Sequence, residues 1–396
     1  MSLDWLIIGG GIHGVHIAAR LLADAEISPD KLRIVDPGNR LLACWRRCAA
    51  ATGMTHLRSS SAHHLGIDHT ALRKFAGKQK SRKPGHFAVP YTRPSLSLFN
   101  DHCDHVEKSF GLSELHIQQR AVQCVAHADK VEVLLDDGRS VDTRHLVLAI
   151  GASEQPTWPA WAPRNHAEVH HIFDPDFDDW PSKGETVMVV GGGISAAHMA
   201  LRLIKEGHQV HLVSRHAMRQ HRFDSDPAWL GWKYTATFTQ TQVPEERRAI
   251  ITEARHTGSV PPEVASALRR AIGRKQLVWH EGEISQCVDR TDGLEVHINQ
   301  DSTVHVNRIL LATGFDSQRP GGQMIDELIA SASLACACCG YPIIDSHLRW
   351  HPRIYVSGPL AELELGPISR NIAGAQRAGE RIVEAARSKS VAINCV

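Results

Sequence analysis

Residues 7–22 read IIGGGIHGVHIAARLL, and residues 189–204 read VVGGGISAAHMALRLI. Both stretches place three glycines between an apolar run and a segment whose apolar residues recur at helical spacing. This pattern is typical of a buried strand that turns sharply into a helix around a pyrophosphate. One such motif is weak evidence, but two of them in one chain predict two bound dinucleotides. The simplest reason to hold two dinucleotides side by side is to pass electrons between them.

The bulk composition argues against several classes of protein. The 396 residues are enough for two or three domains, and 44 Lys and Arg against 43 Asp and Glu give no support for a nucleic-acid or membrane-surface role. No apolar run approaches the ~20 residues of a membrane span. The first strand pattern follows Met1 too closely to leave room for a signal peptide. Nine cysteines in such a chain indicate the reduced thiols of a cytosolic protein.

The first loop gives each of its glycines a separate task. Gly9 permits the tight turn, Gly11 lets the backbone approach a phosphate, and Gly14 allows close packing of strand and helix. Asp36 ends the next strand pattern, where a carboxylate accepts hydrogen bonds from a ribose. An acid there favours an unphosphorylated ribose, as in FAD or NAD. The alternative is a plain glycine turn followed by a surface aspartate.

The second loop has the same design with a different end to its second strand. Its special positions and their neighbour are Gly191, Gly193, Ser195 and Ala196. The following strand pattern ends in Ser214-Arg215 instead of an acid, and a guanidinium there can hold a 2′-phosphate that a carboxylate would repel. The second site is therefore predicted to prefer NADPH. The alternative is that Arg215 is a solvated surface charge.

With these motifs, the chain resembles the flavoproteins that bind two dinucleotides, FAD in the first site and NADPH in the second. Ala312-Thr313-Gly314-Phe315 matches a signature strand end of that group, and Ala149-Ile150-Gly151 is similar to its earlier, degenerate counterpart. The resemblance implies an α/β fold of two Rossmann-like (βαβ) dinucleotide-binding domains. A discontinuous three-layer FAD domain would take residues 1–155 and 310–396, and an NADPH domain would be inserted at residues 156–309.

Two patterns distinguish the chain from the disulfide reductases of that group, which carry a redox cysteine pair near the flavin. Cys44 and Cys48 are the nearest candidates, but they lack the glycines and the four-residue spacing of that motif. The last strand runs into Gly358-Pro359, where the reductases have Gly-Asp. A second cluster follows the signature strand, at neither usual position, and consists of Cys336, Cys338 and Cys339. Redox-active cysteines therefore stay an alternative.

The chain is more similar to the class B flavin monooxygenases, closest to the group that hydroxylates the amines of lysine and ornithine. Residues 54–59 would run along the isoalloxazine, and residues 366–375 resemble the closing motif that starts the final helix. That helix would aim its N-terminus at the flavin, where negative charge builds on reduction. The resemblance implies cofactor contacts from Trp45, Met54, Val122, Gly151, Thr313, Gly314, Gly358, Gly366 and Pro367, and catalytic roles for Arg58 and Asn371.

Other chemistry-bearing segments admit more than one interpretation. Residues 40–110 read as irregular. The segment 219–229 could seat the nicotinamide, shape a substrate entrance, or pack as a surface loop. The clusters at His63-His64 and at 102–105 lack a matched second pair at structural-zinc spacing, so no metal site is expected.

The resemblance implies an NADPH-dependent FAD monooxygenase. NADPH would pass a hydride to the flavin, which would capture O2 as a C4a-hydroperoxyflavin and oxygenate a small amine or other soft nucleophile. One alternative is a flavin reductase or diaphorase that passes electrons to a quinone or a disulfide. A further alternative is a flavin-bound redox sensor. The expected setting is cytoplasmic, with a small-molecule substrate and O2, no nucleic acid or membrane partner, and a homo-oligomer left open.

Overall fold

The structure, a computed structural model, describes residues 3–78, 85–178, 180–299 and 302–393. As far as residue 148, its elements are β1 (Leu3–Ile8), α1 (Ile12–Ala23), β2 (Leu32–Asp36), α2 (Ala43–Thr52), α3 (Ala71–Lys78), β3 (Phe87–Ala88), β4 (Arg93–Pro94), α4 (Leu96–Ser109), β5 (His116–Gln118), β6 (Ala121–Ala126), β7 (Val131–Leu135) and β8 (Ser140–Leu148). The next are β9 (Val169–His171), β10 (Thr186–Val190), α5 (Ile194–Glu206), β11 (Gln209–Ser214), β12 (Arg219–Gln220), α6 (Trp232–Gln240), α7 (Pro244–Ala254), β13 (Ser259–Val260), α8 (Pro262–Gly273), β14 (Leu277–Glu281), β15 (Ile284–Arg290), β16 (Gly293–Ile298), β17 (Ser302–Val306) and β18 (Arg308–Leu311). The chain closes with α9 (Gly322–Ala332), β19 (Arg349–His351), β20 (Ile354–Val356), α10 (Glu362–Leu365) and α11 (Ile372–Ile393).

The first sheet has the order β19-β20-β8-β1-β2-β5, and β1 pairs in parallel with both β2 and β8. Because β1 is central, both of its faces are buried, which explains its continuous apolar run. Ile7 packs with α1 and α11 on one face, whereas Leu6 packs with the β6–β7 hairpin and α9 on the other. These three layers confirm the predicted architecture of the first unit.

The second sheet repeats this plan. Its order is β14-β11-β10-β18-β9, and every pair in it is parallel. Val187 and Val189 of β10 pack against α5 and α8, while Met188 faces the antiparallel β15–β16–β17 sheet. The two halves of the chain are therefore structural repeats, as the paired glycine motifs predicted.

The chain crosses between the two sheets twice, and the crossings lie side by side. Pro156 and Phe315 form an isolated antiparallel bridge. The expected boundary at 309/310 falls inside β18, whose residues pair with β10 and β9 of the second sheet. The chain returns to the first sheet only with β19 and β20.

Two sequence-based expectations about helices were wrong. The stretch 40–110 contains α2, α3 and α4 instead of irregular chain. Packing and capping stabilise these helices: α4, for example, buries Leu98 and Phe99 and is capped by the Ser95 hydroxyl. The final helix begins at Ile372, because the preceding residues Gly366–Arg370 form a 3-10 helix.

Within the described parts of the chain, no helix combines the length and the apolar character needed to cross a membrane.

Buried imidazoles give the fold a predicted dependence on pH. Burial lowers the pKa of His16 and of His102 to about 3, and that of His171 to about 4. Below pH ~6.5 the unfolded chain binds protons at these residues and the folded chain does not, so each lowers the free energy of unfolding by about 1.4 kcal/mol per pH unit. We expect the urea midpoint to fall steadily from pH 6.5 towards pH 4, and less steeply in His102→Gln. A flat profile across this range would contradict the assignment.

Candidate functional site

The two glycine loops follow the carboxyl ends of β1 and β10, the central strands of their sheets. Gly9 has φ +109° and Gly191 has φ +148°, a backbone region that other residues rarely adopt. A Cβ on Gly9 would lie 2.3 Å from the carbonyl oxygen of Ala149, and one on Gly191 would lie 2.4 Å from that of Ala312. A Cβ on Gly14 would lie 1.8 Å from the carbonyl oxygen of Gly9. The turn and the strand–helix contact therefore both require glycine.

The middle glycines, Gly11 and Gly193, border open space instead of a close backbone contact. Nothing lies within 4 Å of a Cβ built on Gly11, and only Gly258 Cα lies near one built on Gly193, at 3.8 Å. Both residues are in extended conformation, cap α1 and α5 without a side-chain hydrogen bond, and precede helices with no acid in the first turn. Open space beside uncapped backbone N–H groups fits a pyrophosphate at each helix N-terminus.

The ends of β2 and β11 hold the residues expected to select the ribose. The Asp36 carboxylate accepts hydrogen bonds from the Gly10 N–H at 2.7 Å and from the Gly38 N–H at 2.8 Å. Each of its oxygens retains a second lone pair that a ribose hydroxyl could use. Arg215 directly follows β11 and is exposed to solvent, and Ser214 Oγ donates to the His216 carbonyl.

Replacing Arg215 tests the preference for NADPH. We expect Arg215→Gln to raise KM for NADPH by roughly 10- to 100-fold, because a charge-assisted contact with the 2′-phosphate is lost. KM for NADH should change little. Arg274→Gln, which removes an exposed arginine from the end of α8 in the same unit, is the control and should leave both values unchanged. Equal increases in KM for NADH and NADPH would mean that Arg215 does not contact the 2′-phosphate.

A cavity of about 320 Å³ lies where the two loops face each other. It is lined by α1, α2, the segment 54–59, the start of α5 and the residues just before α11. Five of its lining residues are predicted site residues: Trp45, Met54, Arg58, Ser195 and Asn371. Four more lie in the segments 54–59 and 366–375 that were expected beside the flavin: Leu57, Ser59, Arg370 and Ile372. The lining residues without a predicted site role include Ile12, His13, Thr52 and His198.

Other predicted cofactor residues lie around this cavity without lining it. Gly358 lies beside the His13 ring, and Gly366 begins the 3-10 helix that leads to Arg370. Pro367 follows Gly366 in that helix, and its carbonyl accepts a hydrogen bond from Arg255. Their predicted contacts with a flavin stay predictions.

Thr313, Gly314 and Gly151 lie at the crossings between the sheets. The Gly314 carbonyl accepts from the Thr157 N–H at 3.0 Å, and Thr313 Oγ1 lies 3.2 Å from His171 Nε2. Gly151 follows β8 with φ +68°. Val122 is an exposed extra residue in β6, where the register with β7 shifts. The cofactor roles predicted for these residues also stay predictions.

Two histidines of the cavity are held neutral by burial, which lowers the pKa of His13 and of His198 to about 4. His13 Nδ1 lies 2.8 Å from Ser357 Oγ, and its Nε2 has no hydrogen-bond partner in the described structure. Both residues stand inside the two glycine motifs, His13 before the third glycine and His198 in the first turns of α5. Their positions inside the two glycine motifs could have identified them as site residues. The chain has 26 histidines, however, so these two did not stand out from the general enrichment.

Asn371 lines the cavity and caps the N-terminus of α11. Its backbone is extended, and its Oδ1 accepts from the Gly374 N–H at 3.0 Å, so α11 begins with Ile372. No acid lies in the first turn of α11. The positive end of this long helix therefore lies at the cavity, and its predicted interaction with a flavin stays a prediction.

Arg58 lines the cavity and also contacts the second unit. Its Nη2 donates to the His221 carbonyl at 2.8 Å and to Ser259 Oγ at 3.1 Å, and its Nε donates to the Arg222 carbonyl. These partners belong to the second unit, so the guanidinium bridges the two units while lining the cavity. A catalytic role for it stays a prediction.

A second bridge between the units involves Glu263 of α8. Its Oε1 lies 2.7 Å from Arg93, on β4 of the first unit, and its Oε2 lies 2.7 Å from Arg222. Arg93 is buried, so the carboxylate is engaged by a guanidinium from each side. Together with Arg58, this pair fixes the segment after β12 against the first unit.

The cysteine pair of α2 is not among the residues that line the cavity. The Sγ atoms of Cys44 and Cys48 are 4.0 Å apart, and Cys44 Sγ lies 3.2 Å from Ser153 Oγ. The Cys48 thiol, followed by Ser153 and Arg47, lowers the pKa of Cys44 to about 6, and the pKa of Cys48 is raised by the same contact. Trp45, between them in sequence, is the one that reaches the cavity. Cys338 and Cys339 are exposed on a separate loop.

Within the described residues, no group of three or more His, Cys, Asp or Glu side chains is arranged to hold a metal ion.

A family model of the pyridine nucleotide-disulphide oxidoreductases matches residues 6–243, which include both glycine loops. The chain belongs to this family. The assignment confirms the predictions of an oxidoreductase and of FAD and NADP(H) as its cofactors. The match to a ferredoxin--NADP reductase from Ignicoccus hospitalis is 30% identical over 112 residues, which are 28% of this chain and 35% of that protein.

Solved structures of two activities share the fold over nearly the whole chain. An ornithine N-hydroxylase from Kutzneria sp. 744 superimposes with a TM-score of 0.79 at 17% identity, covering 98% of this chain and 100% of that chain. A bacillithiol disulfide reductase from Bacillus cereus superimposes with a TM-score of 0.64 at 15% identity, with the same coverage. At these identities the likeness establishes the fold, including the expected similarity to N-hydroxylases, and leaves the reaction to be argued from the site.

Proposed function

We propose that the protein is an NADPH-dependent FAD monooxygenase that oxygenates a small amine or other soft nucleophile. The observation that carries the proposal is the single cavity lined by both glycine-loop helices. Ile12 and His13 of α1 and Ile194, Ser195 and His198 of α5 line it together. A flavin on the first loop and a nicotinamide on the second would meet there. Bound FAD would supply the chemistry, which is hydride acceptance followed by oxygen transfer.

The walls of the cavity suit a reaction that water must not enter. Most of the lining is apolar, with Ile12, Trp45, Met54, Leu57 and Ile372 among the contributing side chains. Water that entered the cavity would divert the activated oxygen to free hydrogen peroxide.

Polar groups at the cavity would orient the reactants. The N-terminus of α11, after Asn371, is uncompensated by acids and favours negative charge at this wall. His13 is neutral at pH 7, and its unpartnered Nε2 can donate or accept a hydrogen bond according to its tautomer. Trp45 Nε1 is also buried without a partner in the described structure, so it is available as a donor.

Oxygen consumption with candidate nucleophiles tests the proposal. The purified FAD-loaded protein should oxidise NADPH faster when a suitable nucleophile is added, and an oxygenated product should accumulate in proportion. Conversion of all consumed O2 to hydrogen peroxide with every nucleophile tried, combined with fast anaerobic reduction of a quinone, would support a reductase instead.

A disulfide reductase is the second candidate, and the observation that favours it is the Cys44–Cys48 pair with its lowered thiol pKa. The fold likeness to a disulfide reductase is compatible with it. Against it, neither thiol is among the residues that line the cavity. An i, i+4 pair on a helix also presents a Cβ separation of ~5–6 Å, longer than the ~3.5–4.5 Å of a disulfide.

Replacing both cysteines separates the two candidates. We expect Cys44→Ser/Cys48→Ser to keep substrate-dependent NADPH oxidation within about a factor of two of the parent, because the cavity lining is unchanged. Flavin content and NADPH affinity serve as controls for folding. Loss of all acceptor reduction with intact flavin content would establish a dithiol relay.

A further inference from the structure

Positive charge dominates the wall of the cavity. Its described lining includes Arg58 and Arg370 and contains no carboxylate. The two lining histidines, His13 and His198, are neutral because burial holds their pKa at about 4. Every formal charge that a small substrate would meet in the described lining is therefore positive.

The nearest carboxylates are already engaged or exposed. Glu263 forms ion pairs with Arg93 and Arg222. Asp224, which interacts electrostatically with Arg58, is exposed to solvent. Neither carboxylate is among the residues that line the cavity.

Behind Arg370, three guanidiniums share a single carboxylate. Glu362 is 1% exposed and forms ion pairs with Arg248, Arg255 and Arg370. Nε and Nη2 of Arg248 and Nε of Arg255 are buried and have no hydrogen-bond partner in the described structure. Burial, followed by the charge of Arg370, lowers the pKa of Arg255 to about 10. One carboxylate does not neutralise three guanidiniums, and an anion next to Arg370 would reduce the net positive charge of the cluster.

We infer that the substrate of this cavity is a small anion, received at the Arg370 wall, and that a free ammonium group is rejected. An ammonium would lose its hydration without gaining a counter-charge, whereas an anion would gain one. This rests on the proposed function and narrows its substrate class. The cationic cluster lies on α7, α10 and the 3-10 helix before α11, whereas both glycine loops lie on other elements, so the pyrophosphates of the cofactors have their own sites.

Three thioethers with the same oxidisable sulfur and different charge test the inference: (methylthio)acetate, 2-(methylthio)ethanol and 2-(methylthio)ethylamine. In each turnover one atom of O2 forms the S–O bond of the sulfoxide. The other atom leaves as water, with two electrons from NADPH and two protons, one from the NADPH hydride and one from solvent. On the FAD-loaded protein we expect kcat/KM to fall in the order anion, neutral, cation, with about tenfold or more between the ends. L-lysine should not stimulate NADPH oxidation.

Calorimetric binding of the same three probes to the FAD-loaded, NADP-bound protein gives a readout that does not depend on turnover. Tighter binding of the acetate probe supports the inference, and equal or tighter binding of the ethylamine probe overturns it. Sulfoxide formed with no charge preference would overturn the inference and leave the monooxygenase proposal standing. If no probe forms sulfoxide, thioether oxygenation is ruled out, and the binding order alone decides the inference.

A matched pair of variants assigns the preference to the wall. Arg370→Gln should reduce the ratio between anion and cation binding several-fold. Arg381→Gln removes a charge from α11 that pairs with Glu364 and does not line the cavity, and it should keep the ratio. If Arg370→Gln does not bind FAD, the probe series on the parent protein still decides. An unchanged ratio in a flavin-loaded Arg370→Gln protein would contradict the assignment.

Discussion

A Gly11→Val protein is expected to fold and to bind no FAD. Gly11 has φ −80°, which valine also adopts, and no atom of the described residues lies within 4 Å of the added Cβ. The side chain would instead occupy the open space beside the N-terminus of α1, where a pyrophosphate would approach. The purified variant should be colourless, whereas the parent should be yellow.

The control for this variant is the parent protein from which the flavin has been removed. Gly11→Val should match it in circular dichroism and in melting temperature, because bound ligand stabilises only the loaded form. Gly14→Ala provides the contrast: its Cβ would lie 1.8 Å from the Gly9 carbonyl oxygen, so that variant should be destabilised itself. Normal FAD content in Gly11→Val would show that the first loop does not hold the cofactor.

The equivalent change in the second loop should separate the two cofactors. Gly193→Val is expected to retain its flavin and to lose reduction by NADPH. Gly193 has φ −95°, and the nearest atom to its added Cβ is Gly258 Cα at 3.8 Å, so the fold tolerates the change. At a fixed NADPH concentration, anaerobic flavin reduction should be at least about 100-fold slower than in the parent, because the pyrophosphate can no longer approach.

Chemical reduction provides the control for Gly193→Val. Dithionite should reduce the flavin of the variant as completely as that of the parent. Normal reduction by NADPH, or loss of FAD together with NADPH, would mean that the two loops do not serve two separate dinucleotides.

The parts of the fold that the sequence predicted are those in which local pattern and tertiary role coincide. The loops at Gly9 and Gly191 can be recognised in the sequence because a positive φ and a close backbone contact require glycine at both positions. The hairpins and the strand before Thr313 carry alternating or continuous apolar residues that match their burial. By contrast, the residues that α2 buries are the small side chains of Ala49 and Thr52, and contacts with α5 of the other unit help to form it.

The candidate site was only partly predictable because its electrostatics arise between distant segments. Arg58 was assigned to the flavin, yet its partners are the carbonyls of His221 and Arg222, more than 160 positions away. The neutrality of His198 depends on burial that only the assembled units produce. The final helix was expected to begin near Gly366, but Asn371 caps it and it begins at Ile372.

Anaerobic mixing of the FAD-loaded protein with NADPH tests the central claim most directly, namely that the two dinucleotides meet at one cavity. The account predicts that the visible flavin absorbance bleaches, with one NADPH consumed per FAD, and that deuterium at C4 of the nicotinamide slows the bleaching. Protein that binds both dinucleotides but shows no bleaching, or bleaches with no isotope effect at any NADPH concentration, would contradict it.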